Sequence, residues 1–238
     1  MMTMRKSDTR GHADHGWLNA WHTFSFAEYY DPAYMGFSVL RVINDDTVAP
    51  GCGFGMHPHH DMEIVTYILE GELQHRDSMG NGSVISAGDV QYMSAGTGVR
   101  HSEINPSADA PVHLLQIWIL PAADNLPPQY AQKSIPVEEK RNQWRVLASP
   151  DGRENSISIQ QDVCLLATVL HDGDRLEYHP AAGRSLYLQM ARGSALLNGS
   201  PLTAGDGAAI TDETLVDLIG QGQDAEILLF DLPPTPIH

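Results

Sequence analysis

Residues 55–71, GMHPHHDMEIVTYILEG, place three histidines within four positions, ahead of an apolar run that ends at a glycine. The run is short and rich in β-branched residues, which is typical of a buried β-strand. Side chains alternate along a strand, so His57 and His59 point to one face and His60 to the other. Both faces of the run beyond Glu63 are largely apolar. We therefore expect a strand that is covered on both sides and carries imidazoles at its entrance.

The rest of the chain is a succession of short apolar stretches separated by Gly, Pro, Asn and Asp. Such spacing predicts an all-β sandwich or barrel. The segment 136–148 could form one short helix, because Pro136 suits a first turn and two glutamates follow it. Typical strand candidates are FSVLRVIND (37–45), VHLLQIWIL (112–120), VCLLATVL (163–170) and AEILLFDL (225–232).

An internal repeat divides the chain. Residues 69–93 resemble residues 191–210, since each stretch has a strand ending in glycine, a short hairpin, a Ser/Thr-Ala-Gly-Asp sequence and another apolar strand. A duplicated β unit predicts two similar domains. Prolines concentrate between the copies and disfavour a central strand there. We assign residues 1–125 to a metal-binding domain, 126–150 to a proline-rich linker and 151–238 to a degenerate second domain.

The charge balance limits the classes of partner. Thirty acidic and 14 basic side chains give a net charge of −16, which argues against direct binding of nucleic acid. The opening MMTMRKSDTRGHADHGW lacks the apolar core of a secretory signal, and no window has the length of a membrane span. Two cysteines far apart do not form a disulfide scaffold. We therefore expect a cytoplasmic protein without a membrane partner.

A second polar cluster lies in GTGVRHSEIN, residues 96–105, where His101 and Glu103 have the same i, i+2 spacing. Together with His57 and His59 this gives three imidazoles and one carboxylate, a set that suits one divalent transition metal: Fe(II), Mn, Co, Ni or Cu, with Zn as an alternative. Strand parity does not exclude Glu63 as a ligand. Five further histidines are expected not to bind the ion: His75 and His113 as satisfied polar or core groups, and His12, His15 and His22 in an N-terminal arm.

Two motifs resemble those of the cupin superfamily. The first is Gly51-x5-His57-x-His59-x3-Glu63-x7-Gly71, and the second is Gly88-x5-Ser94-x-Gly96-x4-His101-x3-Asn105, with Ser94 where proline is usual. With WHTFSFAEYYDP (21–32) and QYMSAGTGVRHSE (91–103), they are most similar to the pirin branch of cupins, and within it to bacterial pirin-like quercetinases. The resemblance implies an all-β bicupin, that is, two tandem jelly-roll β-barrels.

The resemblance also implies particular roles in the first barrel. His57, His59, His101 and Glu103 are the expected metal ligands, and Glu63 then becomes a neighbour that orients an imidazole. His60 is expected next to the ligands or at the surface. Three residues with the parity of the ligands are candidate pocket walls or, alternatively, barrel core: Val65, Tyr67 and Leu69.

Alignment of the two repeats places Ala181 opposite His59, Leu218 opposite His101 and Gly220 opposite Glu103, so that His179 is the single ligand type retained. The second domain is therefore expected to lack a metal. Its expected role is to cover an apolar sheet face or to form one wall of the pocket.

The implied activity is quercetin 2,3-dioxygenase: ring cleavage of a flavonol with O₂ and release of carbon monoxide. Fe(II) is the favoured ion, the partners are a small aromatic substrate and O₂, and Glu103 is the expected catalytic base. Two alternatives stay open. One is a metal-bound regulatory or redox-sensing pirin that acts through protein partners, and the other is a different cupin chemistry. A monomer is expected, because two domains can cover each other's sheets.

Overall fold

The structure is a computed structural model of the 238-residue chain, and it describes residues 1–235. Strands dominate, as predicted. Within the described residues the helical elements are three single 3₁₀ turns, at Ser7–Thr9, Val137–Glu139 and Arg153–Asn155. The second of these is all that forms of the short helix expected within 136–148. No helix in this part of the chain has the length and apolar character needed to cross a membrane.

The first half of the chain forms two sheets. The strands up to residue 134 are β1 (Met2–Arg5), β2 (Gly11–Asp14), β3 (Leu18–His22), β4 (Leu40–Val48), β5 (Gly53–His59), β6 (Glu63–Glu70), β7 (Glu72–Asp77), β8 (Gly82–Ser86), β9 (Asp89–Ser94), β10 (Val99–Ile104), β11 (Val112–Ile119) and β12 (Gln129–Ser134). A seven-stranded sheet has the order β12-β9-β6-β11-β4-β3-β2, and a four-stranded sheet has the order β5-β10-β7-β8.

The second half forms one nine-stranded sheet. Its strands are β13 (Arg145–Ser149), β14 (Ile157–Ser158), β15 (Cys164–Leu170), β16 (Arg175–Tyr178), β17 (Ser185–Leu197), β18 (Ser200–Thr203), β19 (Gly207–Ile210) and β20 (Val216–Leu232), together with β1. The main path is β1-β19-β17-β20-β15-β13-β14, with β16 on β20 and β18 on β17. The N-terminal strand β1 thus belongs to the C-terminal sheet, where Met2 pairs with Ile210.

Strand β6 is buried on both faces, as the apolar run predicts. Ile68 packs toward the four-stranded sheet, in a cluster with Leu73 and Ile85. The opposite face of β6 packs against the second domain, where Tyr67 shares a core with Leu228 and Phe230. The seven-stranded sheet is therefore the middle layer of the molecule, with a barrel interior on one side and the domain interface on the other.

The repeat corresponds to equivalent structures in the two domains. Gly71 and Gly193 adopt φ values of 76° and 70°, and a side chain at either would collide with a backbone oxygen. The aspartates also match: Asp89 accepts from the N–H of Ser86 at 2.9 Å, and Asp206 accepts from the N–H of Thr203 at 3.0 Å. The duplicated β unit predicted from the sequence is thus present in the structure as two sets of turns with the same glycine conformation and the same aspartate hydrogen bond.

The segment 126–150, assigned to a linker, contributes one strand to the seven-stranded sheet and one to the nine-stranded sheet. Strand β12 pairs with β9, so that Gln129 lies opposite Ser94, and strand β13 pairs with β15. The prolines of this segment lie outside these two strands, which is why a proline-rich composition does not prevent pairing here.

A buried polar triad joins the domains. The Lys140 ammonium donates to the Tyr67 hydroxyl at 2.6 Å and to Glu226 Oε1 at 2.7 Å, and the Tyr67 hydroxyl donates to the same carboxylate oxygen. Lys140 and Tyr67 are 2% and 0% exposed. Burial and the neighbouring Glu226 carboxylate raise the pKa of Tyr67, so the phenol stays neutral.

Removing one member of this triad is expected to destabilise the protein. Lys140→Met leaves the Glu226 carboxylate without its counter-charge, and such a change costs about 3 kcal/mol when a buried pair is broken. Urea unfolding of the variant measures this loss. A double variant, Lys140→Met with Glu226→Gln, removes both charges and should recover much of the stability. Equal stability of the single variant and the wild type would contradict the assignment.

Candidate metal centre

Strands β5 and β10 bring the predicted imidazoles together. They pair antiparallel, with His57 opposite His101 and His59 opposite Val99. The ring centroids are 4.8 Å apart for His57 and His59, 4.5 Å for His57 and His101, and 4.9 Å for His59 and His101. One ring nitrogen from each lies within 4.8 Å of the others, so the three could hold one metal ion.

Each ring is oriented by its own contact. His57 Nδ1 lies 2.7 Å from the Gly55 carbonyl, which only an N–H can satisfy, so Nε2 of His57 keeps its lone pair. His59 packs edge-on against Trp118, with ring centroids 5.0 Å apart. His101 is 1% exposed, and its Nε2 is buried without a hydrogen-bond partner. A buried, unpartnered nitrogen on a ring grouped with two other imidazoles is a ligand that a metal ion would satisfy.

The electrostatics favour neutral rings. Burial, together with the neighbouring His101 and His57, lowers the pKa of His59 to about 4. Burial, together with His57 and His75, lowers the pKa of His101 to about 3. Both rings are therefore unprotonated at neutral pH, and unprotonated imidazole is the form that coordinates metals.

Glu103 lies beside this group on the buried side. Its carboxylate forms a second set with His101 and His75, so the four predicted ligands fall into two overlapping groups that share His101. Gln116 donates to Glu103 Oε2 at 2.9 Å, and Thr66 in turn donates to Gln116 Oε1 at 2.7 Å. A bulge between His101 and Glu103 sets the position of this carboxylate along β10.

The predicted pocket residues of β6 do not face the histidines. Val65, Tyr67 and Leu69 do not line the pocket wall. They are buried core residues, as the alternative expected, but of the core that the first domain shares with the second. The reason is the turn at Asp61, whose φ is 46°. This turn breaks the alternation between β5 and β6, so parity counted from His57 does not carry across it.

The turn at Asp61 also places Glu63 away from the ligand histidines. Its Oε2 accepts from the Tyr92 hydroxyl at 2.7 Å and from the Gln160 N–H at 3.0 Å, and it touches no ligand imidazole. The expected role of orienting an imidazole is therefore wrong for Glu63. His60 points outward, with 55% of its side chain exposed and Nδ1 2.6 Å from Asp61.

Polar groups of the seven-stranded sheet complete the site, and the sequence reasoning missed them. His22 lies on β3, not in a loop arm, and its Nδ1 is 2.8 Å from Asn44 Oδ1. Asp46 is 3% exposed, and burial together with the nearby Asp45 and Glu103 raises its pKa. Asn44 and Asp46 share one face of β4 with the apolar Val42 and Val48. That alternation was the available signal.

These side chains surround a cavity next to the histidines. Its volume is about 80 Å³, and it adjoins an outer cleft of about 770 Å³. The inner cavity alone is smaller than the roughly 300–1,000 Å³ typical of ligand sites, so a planar ligand must extend into the cleft. Every residue that lines the two lies in the first half of the chain. Shared walls are Leu18, Ala20, His22, Phe26 and Phe54.

The equivalent positions of the second domain have other roles. His179 is 68% exposed and 3.4 Å from Glu177, and Leu218 is buried in the apolar core. The second domain covers the outer face of the seven-stranded sheet and does not line the cavity.

Comparison with known proteins identifies the family to which this architecture belongs. The pirin family model matches residues 3–119, and the model of the quercetinase C-terminal cupin domain matches residues 146–232. A quercetin 2,3-dioxygenase of Escherichia coli strain K12 is 48% identical over 235 residues, which span 99% of this chain and 100% of that protein. The chain belongs to the pirin family. The expected pirin resemblance and the two tandem cupin domains are thereby confirmed.

Solved structures of pirins agree with this fold over the whole chain. The crystal structure of YhhW from Escherichia coli has a TM-score of 0.95 at 47% identity and covers 100% of both chains. A crystal structure of the bacterial pirin YhhW in complex with nickel(II) has a TM-score of 0.93 at 47% identity, and covers 98% of this chain and 100% of that one.

Proposed function

We propose that this pirin is a metal-dependent dioxygenase that opens the ring of a flavonol such as quercetin. A flavonol and O₂ would give a ring-opened ester and carbon monoxide, which balances all atoms. The observation that carries the proposal is the unpartnered Nε2 of buried His101, whose ring lies 4.5 Å from that of His57 and 4.9 Å from that of His59, beside an aromatic-lined cavity. The activity named for the Escherichia coli relative supports the same chemistry.

The proposed ligands are His57, His59, His101 and Glu103, all from β5 and β10. Three imidazoles and a carboxylate accept several divalent transition ions, and Fe(II) is the ion we favour on chemical grounds, because the reaction uses O₂. The bacterial pirin solved in complex with nickel(II) supports a divalent ion for this chain and makes Ni(II) the main alternative to Fe(II). When bound, such an ion supplies Lewis acidity that lowers the pKa of the flavonol 3-hydroxyl.

Glu103 is the proposed base for the hydroxyl proton. One of its oxygens is held by Gln116, which leaves the carboxylate oriented toward the cavity that it lines. A base in that position accepts the proton without reaching across the site. Thr66 holds Gln116 in turn, so these two side chains position the base.

The aromatic walls select the substrate class. Trp118, Phe54 and Phe26 line the inner cavity, and Phe26 packs edge-on to Trp118 with centroids 5.3 Å apart. Such walls accept a flat aromatic molecule and exclude water from the reacting carbons. The outer cleft provides room for the second aromatic ring of a flavonol.

Metal removal tests the proposed function. Purified protein of measured metal content is mixed with quercetin in air. The flavonol absorbance is expected to fall as quercetin is consumed, and carbon monoxide is expected to be released. Chelation should stop turnover, and re-addition of a single divalent metal should restore it. If the protein bound each of Fe, Mn, Co, Ni, Cu and Zn stoichiometrically and none of them gave turnover, the dioxygenase would be contradicted and a regulatory pirin that acts through protein partners would be favoured.

A further inference from the structure

Behind His101, on the side away from the cavity, lies a chain of buried polar groups that the proposed reaction does not use. His75 Nδ1 is 3.5 Å from His101 Nδ1, and His75 Nε2 is 3.1 Å from Asp77 Oδ2. The side chains of His75 and Asp77 are both 0% exposed. Gln91 Nε2 also approaches His75 Nδ1, at 3.2 Å. Strands β7 and β10 hold this arrangement, because His101 and Asp77 are paired residues of the sheet.

Hydrogen-bond chemistry fixes the direction of this chain. Asp77 Oδ1 accepts the N–H groups of Met79 and Asn81, at 2.9 and 3.0 Å, and its Oδ2 accepts from the Asn81 amide at 2.8 Å. A carboxylate only accepts, so His75 donates to it from Nε2–H. In a neutral ring, His75 Nδ1 is then an acceptor, which agrees with the approach of the Gln91 amide.

The same hydrogen-bond rules assign the tautomer of His101. Because His75 Nδ1 carries a lone pair, the facing Nδ1 of His101 carries the proton, since two facing lone pairs would repel. The single lone pair of His75 Nδ1 is then shared between this N–H at 3.5 Å and the Gln91 amide at 3.2 Å. The remaining nitrogen of His101 is then an unprotonated Nε2, and that is the atom found buried without a partner.

We propose that Asp77 and His75 form a positioning relay that fixes the Nδ1–H tautomer of His101 and so presents its Nε2 to a divalent metal ion. This inference rests on the metal centre proposed above. Outer partners of this kind typically change metal affinity by about 10–100-fold. His75 and Asp77 are therefore positioning residues, and neither is a ligand.

Asp77→Asn is the sharpest test. The backbone N–H groups of Met79 and Asn81 would hold the new carbonyl at the Oδ1 position, which turns the amide NH₂ toward His75. His75 must then accept at Nε2 and donate from Nδ1, and His101 is driven to the tautomer with a proton on Nε2. We expect Zn(II) affinity, measured by competition with a chromophoric chelator, to fall by about 10–100-fold.

Two further variants separate this relay from loss of charge or packing. Asp224→Asn removes the carboxylate of an exposed histidine pair, His171–Asp224, in the other domain, and should leave Zn(II) affinity unchanged. His75→Phe keeps an aromatic ring to stack on Tyr130, which lies 5.0 Å from His75 between centroids, and keeps the Asp77 charge. It should still weaken Zn(II) binding by a similar factor, whereas a packing role for His75 would leave affinity intact.

Side-chain ¹⁵N NMR of the histidines in the Zn(II)-bound wild type provides a direct readout. The expected spectrum has a protonated Nδ1 and a metal-shifted Nε2 on His101, and a protonated Nε2 on His75. Metal coordination by His75, or a doubly protonated His75 beside an unprotonated His101 Nδ1, would overturn the relay. If the wild type binds no metal, the proposed metal centre fails. If wild type and Asp77→Asn bind equally tightly, the relay alone fails.

Discussion

His101→Ala is expected to abolish metal binding and, with it, flavonol turnover. His101 is the ring common to both groups of metal-binding side chains, and its Nε2 has no partner within the described residues. Removing a ligand should cost more than the roughly 10–100-fold loss that follows from changing an outer partner. Metal content after dialysis and the rate of quercetin consumption measure the two effects.

A second ligand variant and a matched control separate loss of the metal ligand from damage to the fold. His57→Ala removes a ring that is only partly buried, so it should lose metal with less disturbance of the fold. His60 belongs to the same HPHH sequence, but its ring is exposed and contacts Asp61. The variant His60→Ala should therefore keep full metal content and turnover. Normal metal content in His101→Ala and His57→Ala, with unchanged unfolding curves, would refute the ligand assignment.

Glu103→Gln is expected to separate catalysis from metal binding. The amide has the size of the carboxylate, and the three imidazoles remain, so much of the metal should stay bound. An amide cannot accept the substrate proton, and loss of a general base typically lowers rates by about 10²–10⁴-fold. Single-turnover consumption of quercetin by protein of matched metal content measures this loss.

The matching control is Glu138→Gln, an exposed glutamate in the Val137–Glu139 turn, which should leave the rate unchanged. Full activity of Glu103→Gln would refute the role of Glu103 as base. Loss of the metal together with the activity would show that its first role is coordination.

Much of the fold is predictable from local sequence. The burial of β6 on both faces follows from its continuous apolar run, and the duplicated domain follows from the two Ala-Gly-Asp turns. The pairing of β1 with β19 was not predictable, because it joins residues about two hundred positions apart and has no local signature. The partition of the chain at 125 and 150 stays a prediction, and the strands β12 and β13 within that segment are additions from the structure.

The candidate site was predictable where side chains lie on one uninterrupted strand. His57 and His59 on β5 meet His101 on β10 as their i, i+2 spacing suggests. Parity failed across the turn at Asp61, which is why Glu63 and its neighbours were placed on the wrong face. His22, Asp46 and Gln116 come from strands that approach only in the folded sheet, so no spacing within the sequence joins them to the histidines.

Anomalous diffraction from crystals grown with Ni(II) tests the central claim most directly. We expect one strong peak in each chain, bounded by the ring nitrogens of His57, His59 and His101, and no comparable peak in the second domain. Absence of a peak at these three rings in protein soaked with excess Ni(II), or a peak that His101 does not contact, would contradict it.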